Sequence, residues 1–289
     1  MYDFESIHLS TSVDDAVAAL VADPEAIIIS AGTDVLVQIR EGRHAGCRLV
    51  SIHNLPELRG IRMCDDGTIE IGAVCTFREI HEDPIVAEHL QALCMAADTP
   101  GGPQLRAVGT IGGNVCNGIT SADTASSVVA YDAVMRVRGP KGDRDIPVSE
   151  WYTGSGRTSR AHDEVLVCIR FPRAGYEGFA GTYYKYGKRE ALEIATMGVS
   201  CLVKMGADRS HRRHPLGVRR RGTLSQARHR HRGCASRACR RRGRGRRGRS
   251  CLRGDEPAYE LACFQGVPPS ADRRAVPPPD SRDGHQGRC

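Results

Sequence analysis

The chain has 289 residues, enough for one large or two ordinary domains with a sizeable core. Its longest apolar runs, such as 26–29 and 165–169, are strand-sized, and its N-terminus lacks the basic-then-apolar pattern of a secretion signal, so a cytoplasmic protein without a membrane span is expected. The net charge of +7 hides a division: residues 209–289 hold 22 Arg, no Lys and 6 acidic residues, net +16, whereas the first 208 residues hold 19 basic and 28 acidic residues, net −9.

Ser12 is a plausible N-cap ahead of Val13, Ala16, Val17, Ala19 and Leu20, whose spacing predicts a short helix ending before Pro24. Residues 26–30 read as a buried strand, and Ala31-Gly32-Thr33-Asp34 as a turn into a second helix carrying Val35, Leu36, Val37 and Ile39. Such a strand, small-residue turn and helix can present free N–H groups to a phosphate, although Thr33 or Asp34 can equally be a simple cap. A strand at 48–52, a turn of helix at 56–58 and a hairpin of 61–64 with 68–71 about Asp66-Gly67 follow. Helices are predicted at 77–80 and 85–97, then a change of direction at Thr99-Pro100-Gly101-Gly102-Pro103. A helix at 124–133 and strands at 134–137, 145–148, 165–171, 182–186 and 195–203 complete an α+β pattern.

Of twelve cysteines, seven are scattered through apolar segments and five lie in the tail, with no C-x-x-C pair. For the seven in apolar segments, reduced core thiols are expected, not a metal site.

The stretch 109–123, G-T-I-G-G-N-V-C-N-G-I-T-S-A-D, concentrates a glycine pair with Asn114, Asn117, Thr120, Ser121 and Asp123. Gly112 and Gly113 can take positive φ and bring backbone N–H groups to an anion, and the side chains add donors and acceptors. An ordinary Gly-Gly turn followed by an Asx turn and a helix start uses the same residue types.

After Met205 the pattern stops. The following 84 residues contain no Ile, Met, Lys, Asn or Trp and are dominated by Arg, Gly, Ala, Pro, Ser and His. Residues with A/T-rich codons are missing and those with G/C-rich codons abound, as G/C-rich coding DNA gives when translated out of frame. An Arg-rich nucleic-acid tail is the alternative, since 209–253 hold 18 Arg and no acid, but no short unit repeats and no aromatic interleaves before Tyr259. The tail is expected to be disordered.

The motifs I-I-I-S-A-G-T-D-V at 27–35, G-P-Q-L-R-A-V-G-T-I-G-G-N-V-C-N-G at 102–118, S-A-D at 121–123 and Y-K-Y-G-K-R at 184–189 carry a resemblance. Over residues 1–204 the chain resembles the FAD-binding subunit of the molybdenum hydroxylases, most of all the xanthine dehydrogenase type. The resemblance implies an α+β, two-subdomain FAD fold of the vanillyl-alcohol-oxidase (PCMH) type: subdomain 1 at 1–56, subdomain 2 at 57–174, the start of a truncated α+β C-terminal domain at 175–205, and an out-of-frame tail at 206–289. It implies FAD contacts from Ile27, Ile28, Ile29, Ser30, Ala31, Gly32, Thr33 and Asp34 around the pyrophosphate. A second loop would contribute Gly109, Thr110, Ile111, Gly112, Gly113, Asn114, Asn117 and Asp123. Val165 and Leu166 would pack near the flavin or adenine, and Lys185 would reach the ring system. Where the family usually has Gly-Gly-Thr, this chain has Ala31-Gly32-Thr33, and a positive φ at Ala31 would cost on the order of 1 kcal/mol. No catalytic or metal-ligating residue is implied in this chain. The implied partners are a molybdenum-cofactor subunit and an iron–sulfur subunit, with NAD as acceptor in purine oxidation, and neither membrane nor nucleic acid.

Overall fold

The computed structural model describes residues 2–189, 191–205, 211–213, 216–220 and 223–226. The chain begins with β1 (Phe4–Leu9), α1 (Val13–Ala22), β2 (Ile27–Ile29), α2 (Val35–Arg40) and β3 (Cys47–Ser51). The three strands form a parallel sheet in the order β1-β3-β2. Ser12 caps α1 as expected, its Oγ accepting the Asp15 N–H at 3.0 Å. Val13, Ala16, Val17 and Leu20 then share one face, as 3.6-residue periodicity requires, and pack on Val50, Ile52, Leu55, Leu58 and Val165.

A single 3-10 turn at Pro56–Leu58 leads to β4 (Ile61–Met63) and β5 (Ile69–Gly72), paired as the predicted hairpin. Six helices follow: α3 (Phe77–Glu82), α4 (Pro84–His89), α5 (Gln91–Ala97), α6 (Pro103–Arg106), α7 (Ile111–Cys116) and α8 (Ala125–Ala130). Then come β6 (Val134–Gly139), β7 (Gly142–Pro147), α9 (Val148–Trp151), the small hairpin β8 (Tyr152–Gly154) and β9 (Arg157–Thr158), β10 (Val165–Phe171) and α10 (Arg173–Tyr176). The second sheet is antiparallel, in the order β4-β5-β10-β6-β7. Ile69, Ile71, Met135, Val137, Ile169 and Phe171 from its strands join the main core with residues of α3, α5, α7 and α8.

Two predicted helices are shorter than the sequence suggests. The helix expected over 85–97 is broken at Leu90, which leaves helical geometry at φ −122, ψ 47 and is fully buried. Leu90 closes α4 through its N–H to Val86 O and opens α5 by accepting the Leu93 and Cys94 amides, so both apolar faces bend onto one core. The helix expected over 124–133 stops at Ala130, because Asp132 takes the left-handed conformation at φ 50.

A third sheet holds β11 (Ala180–Tyr186), β12 (Met197–Met205), β14 (Leu216–Arg220) and β15 (Thr223–Gln226) in the order β11-β12-β14-β15, with β13 (His211–Arg213) also pairing β12. Three of these strands fall inside the stretch expected to be disordered from 206, where the backbone of β12 offers an antiparallel partner. The remainder of the expected disordered tail lies outside the described residues. Among the described residues no helix is long and apolar enough to cross a membrane, and the described cysteines are free thiols.

Candidate functional site

The chain leaves β2 through Ser30-Ala31-Gly32-Thr33-Asp34 before α2 begins. Gly32 sits at φ +74, and a Cβ there would meet the Leu36 side chain at 2.8 Å, so glycine is required. Ala31 is not among the positive-φ residues, so the strain that its methyl group would bring to a left-handed position does not arise. The amides of Ala31, Gly32, Thr33 and Asp34 meet no acceptor among the described residues. Beside them the Ser30 Oγ is buried without a hydrogen-bond partner among the described residues. A cradle of unengaged donors in a short glycine turn suits a phosphate.

The second glycine motif has another construction. Gly112 and Gly113 lie inside α7, not in a left-handed turn, and their amides are already used. Gly112 N–H donates to Ala73 O at 2.9 Å and Gly113 N–H to Thr110 Oγ1 at 3.2 Å. The expected anion-binding nest at this pair is therefore corrected to a capped helix start. Glycine serves packing here: a Cβ on Gly112 would stand 2.5 Å from the Ala73 carbonyl oxygen, so only glycine lets α7 lie flush on the segment after β5.

Polar side chains then tie the two motifs together. Asp34 Oδ2 accepts from Asn117 Nδ2 at 2.9 Å and also from Gln38 Nε2. Asn114 Oδ1 accepts from the Thr124 hydroxyl at 2.6 Å and the Thr124 amide at 3.3 Å, fixing the loop that carries Asp123. Asp123 is buried, which raises its pKa, and Lys185 opposes that shift. The Lys185 ammonium lies 3.0 Å from Asp123 Oδ1 and donates to Thr99 O at 3.0 Å, and Tyr183 donates its hydroxyl to Asp123 Oδ1 at 3.3 Å.

These elements enclose a cleft of roughly 690 Å³, within the usual range for a cofactor site. Ile27, Ile28, Ser30, Ala31, Gly32, Thr33, Asp34, Thr110, Gly112, Gly113, Asn114, Asn117, Asp123, Val165 and Leu166 all line it. Four predicted residues stand outside the lining. Ile29 packs with Ile39 and Leu49, and Ile111 is fully buried in the main core. Gly109 gives its carbonyl to the Phe77 amide at 3.0 Å. Lys185 stands behind Asp123, held by its ion pair. The cleft also gathers residues that carry no motif in the sequence, Gln38 and His44, Arg160 and His162, and Leu192 to Ile194, together with Cys116 of the second motif. Burial pushes the Cys116 thiol up to about 11, so this cysteine is a neutral wall residue.

Residues 2–174 match the family model described as the FAD binding domain in molybdopterin dehydrogenase. The chain belongs to this family. Among curated relatives of this flavoprotein, the xanthine dehydrogenase FAD-binding subunit of Escherichia coli O157:H7 is 43% identical over 198 residues, 68% of each chain. The carbon monoxide dehydrogenase medium chain of Hydrogenophaga pseudoflava is 33% identical over 227 residues, 76% of this chain and 78% of that one. A solved carbon monoxide dehydrogenase from the same organism superposes with a TM-score of 0.71 at 28% identity, covering 76% of this chain and 75% of that chain. The flavoprotein is thus an oxidoreductase subunit of the molybdenum hydroxylase family, and its cofactor is FAD. The cleft fits that cofactor on its own chemistry: unengaged amides and a partnerless buried hydroxyl for the pyrophosphate, and the apolar Ile27, Ile28, Val165 and Leu166 for the rings.

Proposed function

We propose that this chain is the FAD-binding subunit of a xanthine dehydrogenase-type molybdenum hydroxylase, assembled with a molybdenum-cofactor subunit and an iron–sulfur subunit and serving NAD as acceptor. The observation that carries the reading is the cradle at Ser30 to Asp34, with its unengaged donors, set in a chain 43% identical to a xanthine dehydrogenase FAD-binding subunit. Bound FAD supplies the redox chemistry, accepting electrons singly and giving them up as a hydride. The protein supplies position. Amides of Ala31 to Asp34 and the Ser30 hydroxyl hold the pyrophosphate, while the Asp34 to Asn117 bond keeps the two cofactor loops at a fixed separation. Val165 and Leu166 give an apolar wall, and Asp123, steadied by Lys185, closes another part of the cleft. This scheme requires no general acid or base from the chain. In domain terms, the parallel sheet would belong to subdomain 1 (1–56), the antiparallel sheet to subdomain 2 (57–174), and β11 and β12 to the C-terminal domain from 175.

The test is in two stages. Flavin-free full-length protein titrated with FAD is expected to gain the visible flavin band in one-to-one ratio; a chain that stays colourless sinks the reading. Reconstitution with its two partner subunits is then expected to give xanthine-dependent NADH formation. Turnover of another heterocycle, or only with a different acceptor, would leave the FAD role standing and remove the xanthine or NAD assignment. We further propose that the residues after about 205 arise from an out-of-frame reading, on the composition of the tail. Resequencing the DNA across codons 203–212 decides it: an intact frame there refutes it.

A further inference from the structure

Arg160 is the only Arg or Lys lining the cleft among the described residues. The acids of the lining are all engaged by neighbours: Asp34 by Asn117 and Gln38, Asp123 by Lys185, and Glu193 by the Arg189 amide. Arg160 itself makes no ion pair among the described residues. Glu164, whose backbone carbonyl Arg160 does reach, has its carboxylate held in a two-point pair by Arg144, through Nε and through Nη2 at 2.8 Å. What Arg160 does have is an anchor. Its Nη1 donates to the carbonyl oxygens of Ala161 at 2.9 Å, His162 at 3.3 Å and Glu164. Three carbonyls pin one nitrogen, and among the described residues Nε and Nη2 meet no acceptor. A guanidinium already ordered by its own loop, with two donor groups unused, is prepared for an anion at little further entropic cost.

The location says which anion. Beside Arg160 the loop is fastened to the first sheet's side of the cleft, His162 Nε2 meeting Asp23 O at 3.1 Å next to Ala26. Asp123, by contrast, is fastened to β11 through Lys185 and Tyr183. The cleft therefore has one end at Ala26, Arg160 and His162 and another at Asp123 and Leu192 to Ile194. The resemblance implies that Lys185 reaches the ring system, and Lys185 pairs with Asp123; with the flavin ring at that end, the other end receives the adenylate. We propose that Arg160 is the cationic contact for the adenosine phosphate half of FAD and makes the site select the dinucleotide over the mononucleotide. This rests on the reading that the cleft holds FAD. A desolvated pyrophosphate among engaged acids needs more than neutral amides, and Arg160 is the cation within the lining that can supply it.

The experiment is calorimetric titration of the flavin-free full chain with FAD, ADP and FMN, for wild type, Arg160→Gln and Arg160→Lys. Arg160→Gln is expected to weaken FAD and ADP about tenfold to a hundredfold, the loss of a charged hydrogen bond, and to leave FMN unchanged. Arg160→Lys, keeping the charge without the planar fork, should recover part of that loss and shows that the site still folds. FAD and ADP affinities equal to wild type in Arg160→Gln would overturn the assignment while the FAD reading stands. Equal weakening of FMN would also overturn it, in favour of a structural role. A wild-type chain that binds no FAD would overturn both.

Discussion

A methyl group on Gly112 would stand 2.5 Å from the Ala73 carbonyl oxygen and 2.9 Å from the Ala73 Cβ, whereas one on Gly113 would meet only the Thr110 hydroxyl at 3.1 Å. Backbone cannot give way as a side chain can, so the two neighbouring glycines are unequal. Gly112→Ala is expected to cost about 1–3 kcal/mol, as overpacking does. Gly113→Ala should stay within about 1 kcal/mol of wild type, since alanine suits a helix interior better than glycine. Denaturant unfolding of the flavin-free protein measures both, and equal stabilities would refute the packing role of Gly112. Lys185 makes a second residue-scale prediction. Burial raises the Asp123 pKa and Lys185 lowers it, with burial the larger effect. A carboxyl with a raised folded pKa contributes stability at acid pH that is lost as pH rises through that pKa. Lys185→Met raises it further and leaves a buried carboxylate unpaired, so the variant should lose about 3–5 kcal/mol near neutral pH. The deficit should shrink on acidification as Asp123 takes up a proton. A deficit independent of pH would show that the pair is not the cause.

Elements were readable wherever their signals are local. Ser12 capping α1, the Asp66-Gly67 turn and the apolar stripe of α1 are all settled within a few residues, and the structure follows them. The alternation of T-I-E-I at 68–71 suggests a half-buried strand, yet Glu70 is buried as well as Ile69 and Ile71. The cause lies in strands remote in sequence. On that face of the second sheet Glu70 lies between Arg62 of β4 at 2.5 Å and Arg170 of β10 at 2.9 Å. Arg170 goes on to Asp145 of β7 at 3.1 Å, which pairs with Arg136 of β6 at 2.9 Å. The charges form a ladder across the whole sheet and let a carboxylate be covered by guanidinium groups. Glu70→Ala should leave the Arg62 and Arg170 side chains facing each other without their shared acceptor. The expected loss is roughly 1.5–3 kcal/mol, the scale of charged hydrogen bonds, seen as a lowered midpoint of thermal unfolding. An unchanged midpoint would mean that the ladder is a solvated surface with no part in stability.

Across the whole molecule, the two glycine loops could be read because each is one short segment, whereas the cleft they share could not. Its closure depends on pairs such as Asp34 with Asn117 and Asp123 with Lys185, and on Arg160 and His162, which a one-dimensional pattern does not connect. The third sheet enters the site in this way, since β11 brings Lys185 and Tyr183 to Asp123. What seats that sheet is a group of buried hydroxyls: Ser200 of β12 meets Ser126 at 2.9 Å and Ser127 at 2.8 Å on α8, and Ser127 also donates to Ala92 O at 3.0 Å. Ser200→Val puts a β-branched apolar residue at the strand position and strips both serines of their shared partner, leaving the Ser126 hydroxyl buried without one. Such a loss costs about 1–3 kcal/mol. Because β11 is paired along its length to β12, a displaced β12 carries Lys185 and Tyr183 away from Asp123. The variant is therefore expected to bind FAD severalfold more weakly although Ser200 does not line the cleft. The measurement is FAD affinity beside thermal stability, in Ser200→Val and in Ser200→Thr, which retains the hydroxyl and should recover both. Lowered stability with unchanged FAD affinity would show that the third sheet is mechanically independent of the cofactor site, and the Lys185 to Asp123 pair would then be a fastening between sheets and no part of the cofactor's support.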